Sequence, residues 1–217
     1  MNDDDLKLRI VGIENDGDIG GARRLRLRTT RGAIALIVHP AGETERVALC
    51  VSGALGGFDG PAELYPRLGA TLPQSGIAVV RLDYRIPNEF GECVLDTLAG
   101  LSFLGAMKCR RAALVGHSFG GAVAINAGTL SPLVSTVVAI SSQLFGAHVV
   151  EALAPRPLLL VHGTADSILS HASSEQIYQR AHEPRTLKLF PGADHRFTDN
   201  GDGLLAAVGE WIEERLG

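Results

Sequence analysis

The pattern of apolar and polar positions changes character along the chain, and each change predicts an element. Arg24-Leu25-Arg26-Leu27-Arg28 alternates strictly, the period of a strand with one face in water. Arg31-Gly32 then turns into Ala33-Ile34-Ala35-Leu36-Ile37-Val38, and two strands this close predict an antiparallel hairpin at the sheet edge. The arginines read as a solvated strand face rather than a phosphate site. Further on, strand-like runs at Val47–Ser52, Ile77–Asp83, Ala112–His117, Thr136–Ser141, Leu158–His162 and Thr186–Phe190 alternate with helical stretches. The helices fall near Ala62–Gln74, Glu89–Met107, Phe119–Thr129, Ala147–Leu153 (short), Ala172–Ala181 and Gly203–Leu216. The last places Leu204, Leu205, Val208, Trp211, Ile212 and Leu216 on one face at helical spacing. Such alternation predicts an α/β fold, a mostly parallel sheet with helices on both faces.

No repeat, low-complexity tract or long linker interrupts this pattern. The 217 residues suit one substantial core, so a single domain is expected over 1–217, with residues 1–23 as an N-terminal extension offering a further edge strand. Apolar residues make up 46% and charged residues 20%, an ordinary globular balance. A net charge of −4 gives no electrostatic ground for binding nucleic acid or an anionic membrane. The acidic start Met1-Asn2-Asp3-Asp4-Asp5 lacks the basic and apolar parts of a secretory signal, and no apolar run approaches the ~20 residues of a membrane span. Cys50, Cys93 and Cys109 are odd in number and lack metal-ligand spacing; Cys50, inside a strand, reads as a small core residue. A cytoplasmic protein without a metal site is expected.

The chemistry begins at Gly116-His117-Ser118-Phe119-Gly120-Gly121, directly after Ala112-Ala113-Leu114-Val115. Gly-x-Ser-x-Gly between a strand and a helix raises the serine hydroxyl on a strained turn at the end of a sheet. Gly116 and Gly120 let the chain reverse where side chains would crowd it. A hydroxyl at neutral pH needs a base, and the base needs an orienter; on such sheets they follow in the order Ser, Asp or Glu, His. Asp166 ends His162-Gly163-Thr164-Ala165-Asp166 after one strand, and His195 ends Pro191-Gly192-Ala193-Asp194-His195 after the last. Both fall beyond carboxyl ends of strands, where open α/β sheets build their sites.

These motifs resemble those of the α/β-hydrolase superfamily, in its compact lid-less branch around the dienelactone hydrolases and small bacterial serine esterases. The resemblance runs from about Leu25 to the end through Gly-His-Ser-Phe-Gly, His162-Gly-Thr-Ala-Asp166 and Gly192-Ala-Asp-His195-Arg-Phe197. Dienelactone hydrolases proper carry a cysteine nucleophile; Ser118 in its place favours ordinary ester hydrolysis. The expected machinery is Ser118 as nucleophile, His195 as base and Asp166 as orienter. Asp194 is the weaker carboxylate, since neighbouring side chains in an extended loop diverge, and Asp199 and Asp202 read as helix-entry residues. His117 should point away from Ser118, and His162 should support its turn.

The Phe119 amide is the expected half of an oxyanion hole. The other half should come from Gly53-Ala54-Leu55-Gly56-Gly57, where Ala54 is the first choice and Leu55 the second. Leu55, Phe58, Phe119, Leu144, Phe145 and Phe197 are acyl-pocket candidates that read equally well as core. Asp83-Tyr84-Arg85 suggests an ion pair that fixes a loop. Only Gln143–Ala154 separates the two strands where related enzymes insert a lid, so an open site acting on a small, soluble ester is expected, with no metal or organic cofactor; the alternatives are a thioesterase, amidase or peptidase with the same triad, or a non-catalytic binding protein on a hydrolase scaffold.

Overall fold

The structure, a computed structural model, describes residues 8–217; the acidic start at residues 1–5 lies outside them. Nine strands form one sheet: β1 (Ile10–Ile19), β2 (Ala22–Thr29), β3 (Gly32–His39), β4 (Arg46–Val51), β5 (Ala78–Asp83), β6 (Arg111–His117), β7 (Val134–Ile140), β8 (Leu158–Gly163) and β9 (Arg185–Phe190). Their spatial order is β1-β2-β3-β5-β4-β6-β7-β8-β9. The six strands from β5 to β9 run parallel, while β1, β2 and β3 join antiparallel. This is the α/β-hydrolase fold.

The expected hairpin is present, with Thr29 opposite Gly32, but it does not form the sheet edge. β1 covers it, in part through charge. Glu14 meets Arg28 at 3.0 Å and Asp16 meets Arg26 at 2.8 Å, so two of the alternating arginines find acidic partners on a strand whose own apolar pattern is weak.

Five helices pack on the sheet: α1 (Leu64–Thr71), α2 (Phe90–Ala106), α3 (Phe119–Leu130), α4 (Ala172–Arg180) and α5 (Gly201–Leu216). The first is shorter than expected. Short 3-10 turns flank it at Pro61–Glu63 and Leu72–Ser75, because Pro61 and Pro73 lack the amide proton an α-helix uses and Ala62 and Glu63 have positive φ. Residues 147–153 likewise form 3-10 turns.

Side chains alternate across the sheet and build two cores. Val47, Leu49 and Val51 of β4 pack with α2, α3 and α4, whereas Ala48 and Cys50 of the same strand pack with α1 and α5. The central strands are apolar on both faces, as a parallel sheet covered by helices requires. Each fully buried leucine there, Leu49, Leu114 and Leu160 among them, contributes on the order of 2 kcal/mol. The result is a stiff platform whose carboxyl edge carries the loops after β4, β6, β8 and β9.

Candidate active site

Ser118 sits between β6 and α3 with φ 58° and ψ −121°, a conformation that L-residues avoid and that surrounding structure must enforce. The Ser118 amide donates to the Ile140 carbonyl at 2.8 Å. The two flanking glycines are required by close approach. A Cβ at Gly116 would lie 2.0 Å from the Gly120 carbonyl oxygen, and one at Gly120 would lie 2.2 Å from the Ser52 carbonyl oxygen. Phe119 opens α3, so its amide has no intrahelical partner and points with the helix N-terminus.

The loops after β8 and β9 are laced together. Thr164 and Ala165 donate backbone amides to Phe190 and Ala193, and a Cβ at Gly163 would collide with the Ala193 carbonyl at 2.2 Å. This packing brings His195 to Asp166: Nδ1 donates to Oδ2 at 2.6 Å, which leaves Nε2 of the neutral ring as the proton acceptor. Asp166 has no solvent-exposed side-chain surface. Its Oδ1 accepts the amides of Ile168 and Leu169, each at 2.8 Å. Burial alone would raise its pKa, but the Leu169 amide, His195 and the Ile168 amide together hold it below the usual carboxylate range. Asp194 is engaged elsewhere, accepting the Thr198 amide at 2.8 Å and hydroxyl at 2.7 Å.

A third group on Asp166 is His162, fully buried. Its Nε2 lies 3.1 Å from Asp166 Oδ2 and 3.0 Å from the Leu169 carbonyl, while Nδ1 lies 2.7 Å from Ser174 Oγ on α4. A carbonyl can only accept, so Nε2 carries the proton and the Ser174 hydroxyl donates to Nδ1. Burial keeps the ring's pKa below its ordinary value, consistent with this neutral tautomer. His162 thus braces both the turn and the carboxylate. Nothing in the sequence marked Ser174, which reaches the site from a helix.

Ser118 and His195 line one cavity of about 610 Å³, together with Ser52–Gly56, Gly60–Glu63, His117, Ile168, Arg196 and Thr198. The Ser118 hydroxyl makes no hydrogen bond with another described residue. Ala54 and Leu55 are the corner residues of a turn closed by the Gly56 amide on the Gly53 carbonyl at 3.1 Å, and among the described residues their own amides donate to no protein acceptor. Asp83 accepts the Gly57 amide at 2.7 Å and steadies that loop. Arg85 turns away from Asp83: it pairs with Asp96 and, at 2.6 Å, with Glu92.

Several pocket expectations require correction. Phe197 is fully buried in the core against Phe190, ring centroids 5.5 Å apart, because the turn after His195 directs it under the sheet's edge. Leu144 packs on the core beside α3, and Phe145 is exposed, touching only the edge of Phe90 among aromatic rings. Phe58 is half-buried behind the loop, and the Phe119 ring packs against Tyr84 and Phe90. None of these lines the cavity; Leu55 and Ile168 do. The His117 ring packs at a tilt against that of His195, centroids 4.7 Å apart, and its Nε2 donates to the His195 carbonyl at 2.9 Å.

The model of the dienelactone hydrolase family matches residues 63–210, well over half of the chain. The chain belongs to the dienelactone hydrolase family. This α/β hydrolase is 26% identical over 196 residues to the uncharacterized protein YfhR of Escherichia coli K12, a match covering 75% of this chain and 63% of that protein; the chain therefore spans under two thirds of that relative's length. Similar solved structures share the fold. A protein of unknown function from Agrobacterium tumefaciens superposes with a TM-score of 0.75 at 17% identity, covering 89% of this chain and 96% of that one. Est1E from Butyrivibrio proteoclasticus, also solved with ferulic acid bound, gives 0.72 at 15% identity over 94% and 98% of the two chains. The esterase domain of a Rhodothermus marinus protein gives 0.70 at 20% identity over 98% and 100%. Among the described residues no helix is long and apolar enough to cross a membrane, and no group of three or more His, Cys, Asp or Glu side chains is placed to hold a metal.

Proposed function

We propose that this dienelactone hydrolase family member is a single-domain serine esterase, cleaving carboxylic esters of small soluble substrates through Ser118, His195 and Asp166. The observation that carries the reading is the 2.6 Å bond from His195 Nδ1 to buried Asp166, made at the wall of the cavity that also holds the strained Ser118. Ser118 Oγ attacks the ester carbonyl as His195 Nε2 takes its proton, and negative charge moves to the carbonyl oxygen. The Phe119 amide and that of Ala54, with Leu55 as the alternate donor, receive this oxyanion; each such donor is worth about 3 kcal/mol in the transition state. The tetrahedral centre collapses, the C–O bond to the alcohol breaks, and His195 hands its proton to the departing oxygen. Water then enters, loses a proton to His195, attacks the acyl-enzyme and releases the acid and Ser118. Asp166 holds the imidazole in the required tautomer and stabilises the imidazolium.

With only 3-10 turns between β7 and β8, nothing of lid size among the described residues stands at that position, which favours short acyl groups and gives no basis for activation at a lipid surface. The test is a fluorophosphonate reagent followed by p-nitrophenyl esters of graded chain length, with methyl ferulate added because Est1E binds ferulic acid. The expected result is one adduct, on Ser118, and fastest turnover of short acyl esters. An adduct on another serine, or hydrolysis confined to thioesters, amides or peptides, would replace this reading.

A further inference from the structure

A second cavity lies at the opposite edge of the sheet from the reactive loops. It holds about 250 Å³ where β4 and β5 begin, bounded by residues 40–47, the end of α2 and the ribbon of β1 and β2. The reactive cavity lies beyond the far ends of the same strands. β4 is six residues long, which sets the two apart by about 20 Å. The walls of the second cavity are apolar: Leu25, Val38, Ala78, Phe103, Leu104 and Met107. The core does not close over them. Leu25, Val38 and Ala78 are only partly buried against it, and Met107 is 63% exposed. An apolar cavity of about 150 Å³ already takes up a benzene-sized guest, so this one has room for a larger apolar body.

The polar side chains on its wall divide into two sets, one of them already occupied. The Thr44 hydroxyl donates to the Gly76 carbonyl at 2.6 Å, and the Cys109 thiol donates to that of Glu45 at 3.2 Å. Arg46 shares the face of Ala48 across the sheet, where its Nη2 donates to the Ser75 carbonyl at 3.1 Å. The other set is open. Side chains alternate along β2, so Arg23 shares the face of Leu25 and Leu27. Its register partner there is Val38, itself opposite Val80. The Arg23 side chain has no hydrogen bond or ion pair with a described residue, not even with Asp18 opposite it on β1. Asn15, opposite Leu25, accepts the Gly17 amide on Oδ1 at 2.9 Å, which leaves its NH₂ group as a donor. Among the described residues no acidic side chain lines the cavity.

Apolar walls beside two unmet side-chain donors, one of them cationic, match a ligand with an apolar chain and an acceptor-only head. We infer that this crevice is a second ligand site, binding a medium-chain aliphatic carboxylate with its chain on the apolar walls and its head at Arg23 and Asn15. A guanidinium holds a carboxylate through two parallel charge-assisted bonds. A cation on a wall without acidic side chains selects against an ammonium head. The inference does not depend on the esterase reading, since no group of the reactive cavity takes part.

The test is calorimetric titration of the full chain with octanoate, and with octan-1-ol and octylammonium, which keep the chain and replace the head. Octanoate should fill one saturable site with a Kd of about 0.1–1 mM. It should bind about tenfold or more tightly than either control, the effect of a charge-assisted bond. Arg23 is exposed, so its substitution leaves folding intact. Arg23→Met should remove most of the preference for octanoate, and Arg23→Lys should retain part of it. Val38→Trp, which fills the cavity, should abolish binding. Equal affinity for octanoate and octan-1-ol would mean apolar adsorption only and overturns the site. Octanoate binding that Arg23→Met and Val38→Trp both leave unchanged places the ligand elsewhere and overturns it as well. So does the absence of saturable binding, and a dimer that Met107→Glu dissociates would then assign the crevice to a second copy of this chain.

Discussion

The antiparallel ribbon at one end of the sheet and the carboxyl edge of the parallel strands treat polar groups in opposite ways. In β2, Leu27 is buried while Arg24, Arg26 and Arg28 face water, and Arg26 and Arg28 meet Asp16 and Glu14 of β1 in partly exposed ion pairs. Backbone angles there are ordinary except at the glycine turns. At the carboxyl edge, Ser118, Ser141 and Phe197 all have positive φ, and the hydroxyls of Ser52, Ser141 and Tyr84 are buried without partners. Asp166 is buried under four donors. The ribbon is satisfied by water and weak pairs. The edge holds strain and unmet polarity, which the apolar platform beneath it must offset. Stability and chemistry are thereby assigned to different parts of one sheet.

This contrast breaks first at the proposed triad. Ser118→Ala and Asp166→Asn should each lower kcat by on the order of 10⁴-fold, whereas Asp194→Asn should change it by no more than a few-fold, since Asp194 bonds only within its own loop. Initial-rate kinetics on purified, folded variants decide this. Equal losses at the two carboxylates would remove the distinction drawn between them.

Next comes acid stability. The folded pKa of His117 is depressed to about 4, against about 6.5 when unfolded. Between those values the unfolded chain binds the proton and the folded chain does not. Stability is therefore intact above about pH 6.5 and is lost as pH falls toward 4, by roughly 3 kcal/mol from this ring. His39 and His162, also depressed, act in the same direction. Urea unfolding of His117→Gln at several pH values should show a shallower loss over that window; an unchanged slope would contradict the burial argument.

Smaller again is the brace behind the carboxylate. Ser174→Ala removes the donor to His162 Nδ1 and leaves a buried acceptor unmet, which should cost about 1–3 kcal/mol in chemical denaturation. The smallest effect belongs to the ribbon. Arg28→Ala breaks the 3.0 Å pair with Glu14, yet both groups are about half exposed, so stability should move by less than about 1 kcal/mol and activity not at all. A larger loss would mean that the ribbon supports the site.

Local pattern was enough to read the parallel strands, the hairpin, the elbow and the loops that bear Asp166 and His195, because each depends on neighbours within a few residues. Gly116 and Gly120 announced a tight reversal, and the structure shows the backbone collisions they avoid. What local pattern left open depends on contacts between segments distant in the chain. The edge strand β1 is weakly apolar and is held by pairing with β2. Phe197, next but one to His195, goes to the core rather than the cavity because the turn after β9 sets its direction. His117 joins His195 from another strand, Ser174 reaches His162 from α4, and Ser52 is left with an unpaired hydroxyl. The sequence by itself determined the order of elements and singled out the side chains proposed to react, since periodicity and turn chemistry are short-range. Only the tertiary structure decided which side chains share the cavity and which buried polar atoms go unmet, because those follow from how loops on separate strands pack against one another.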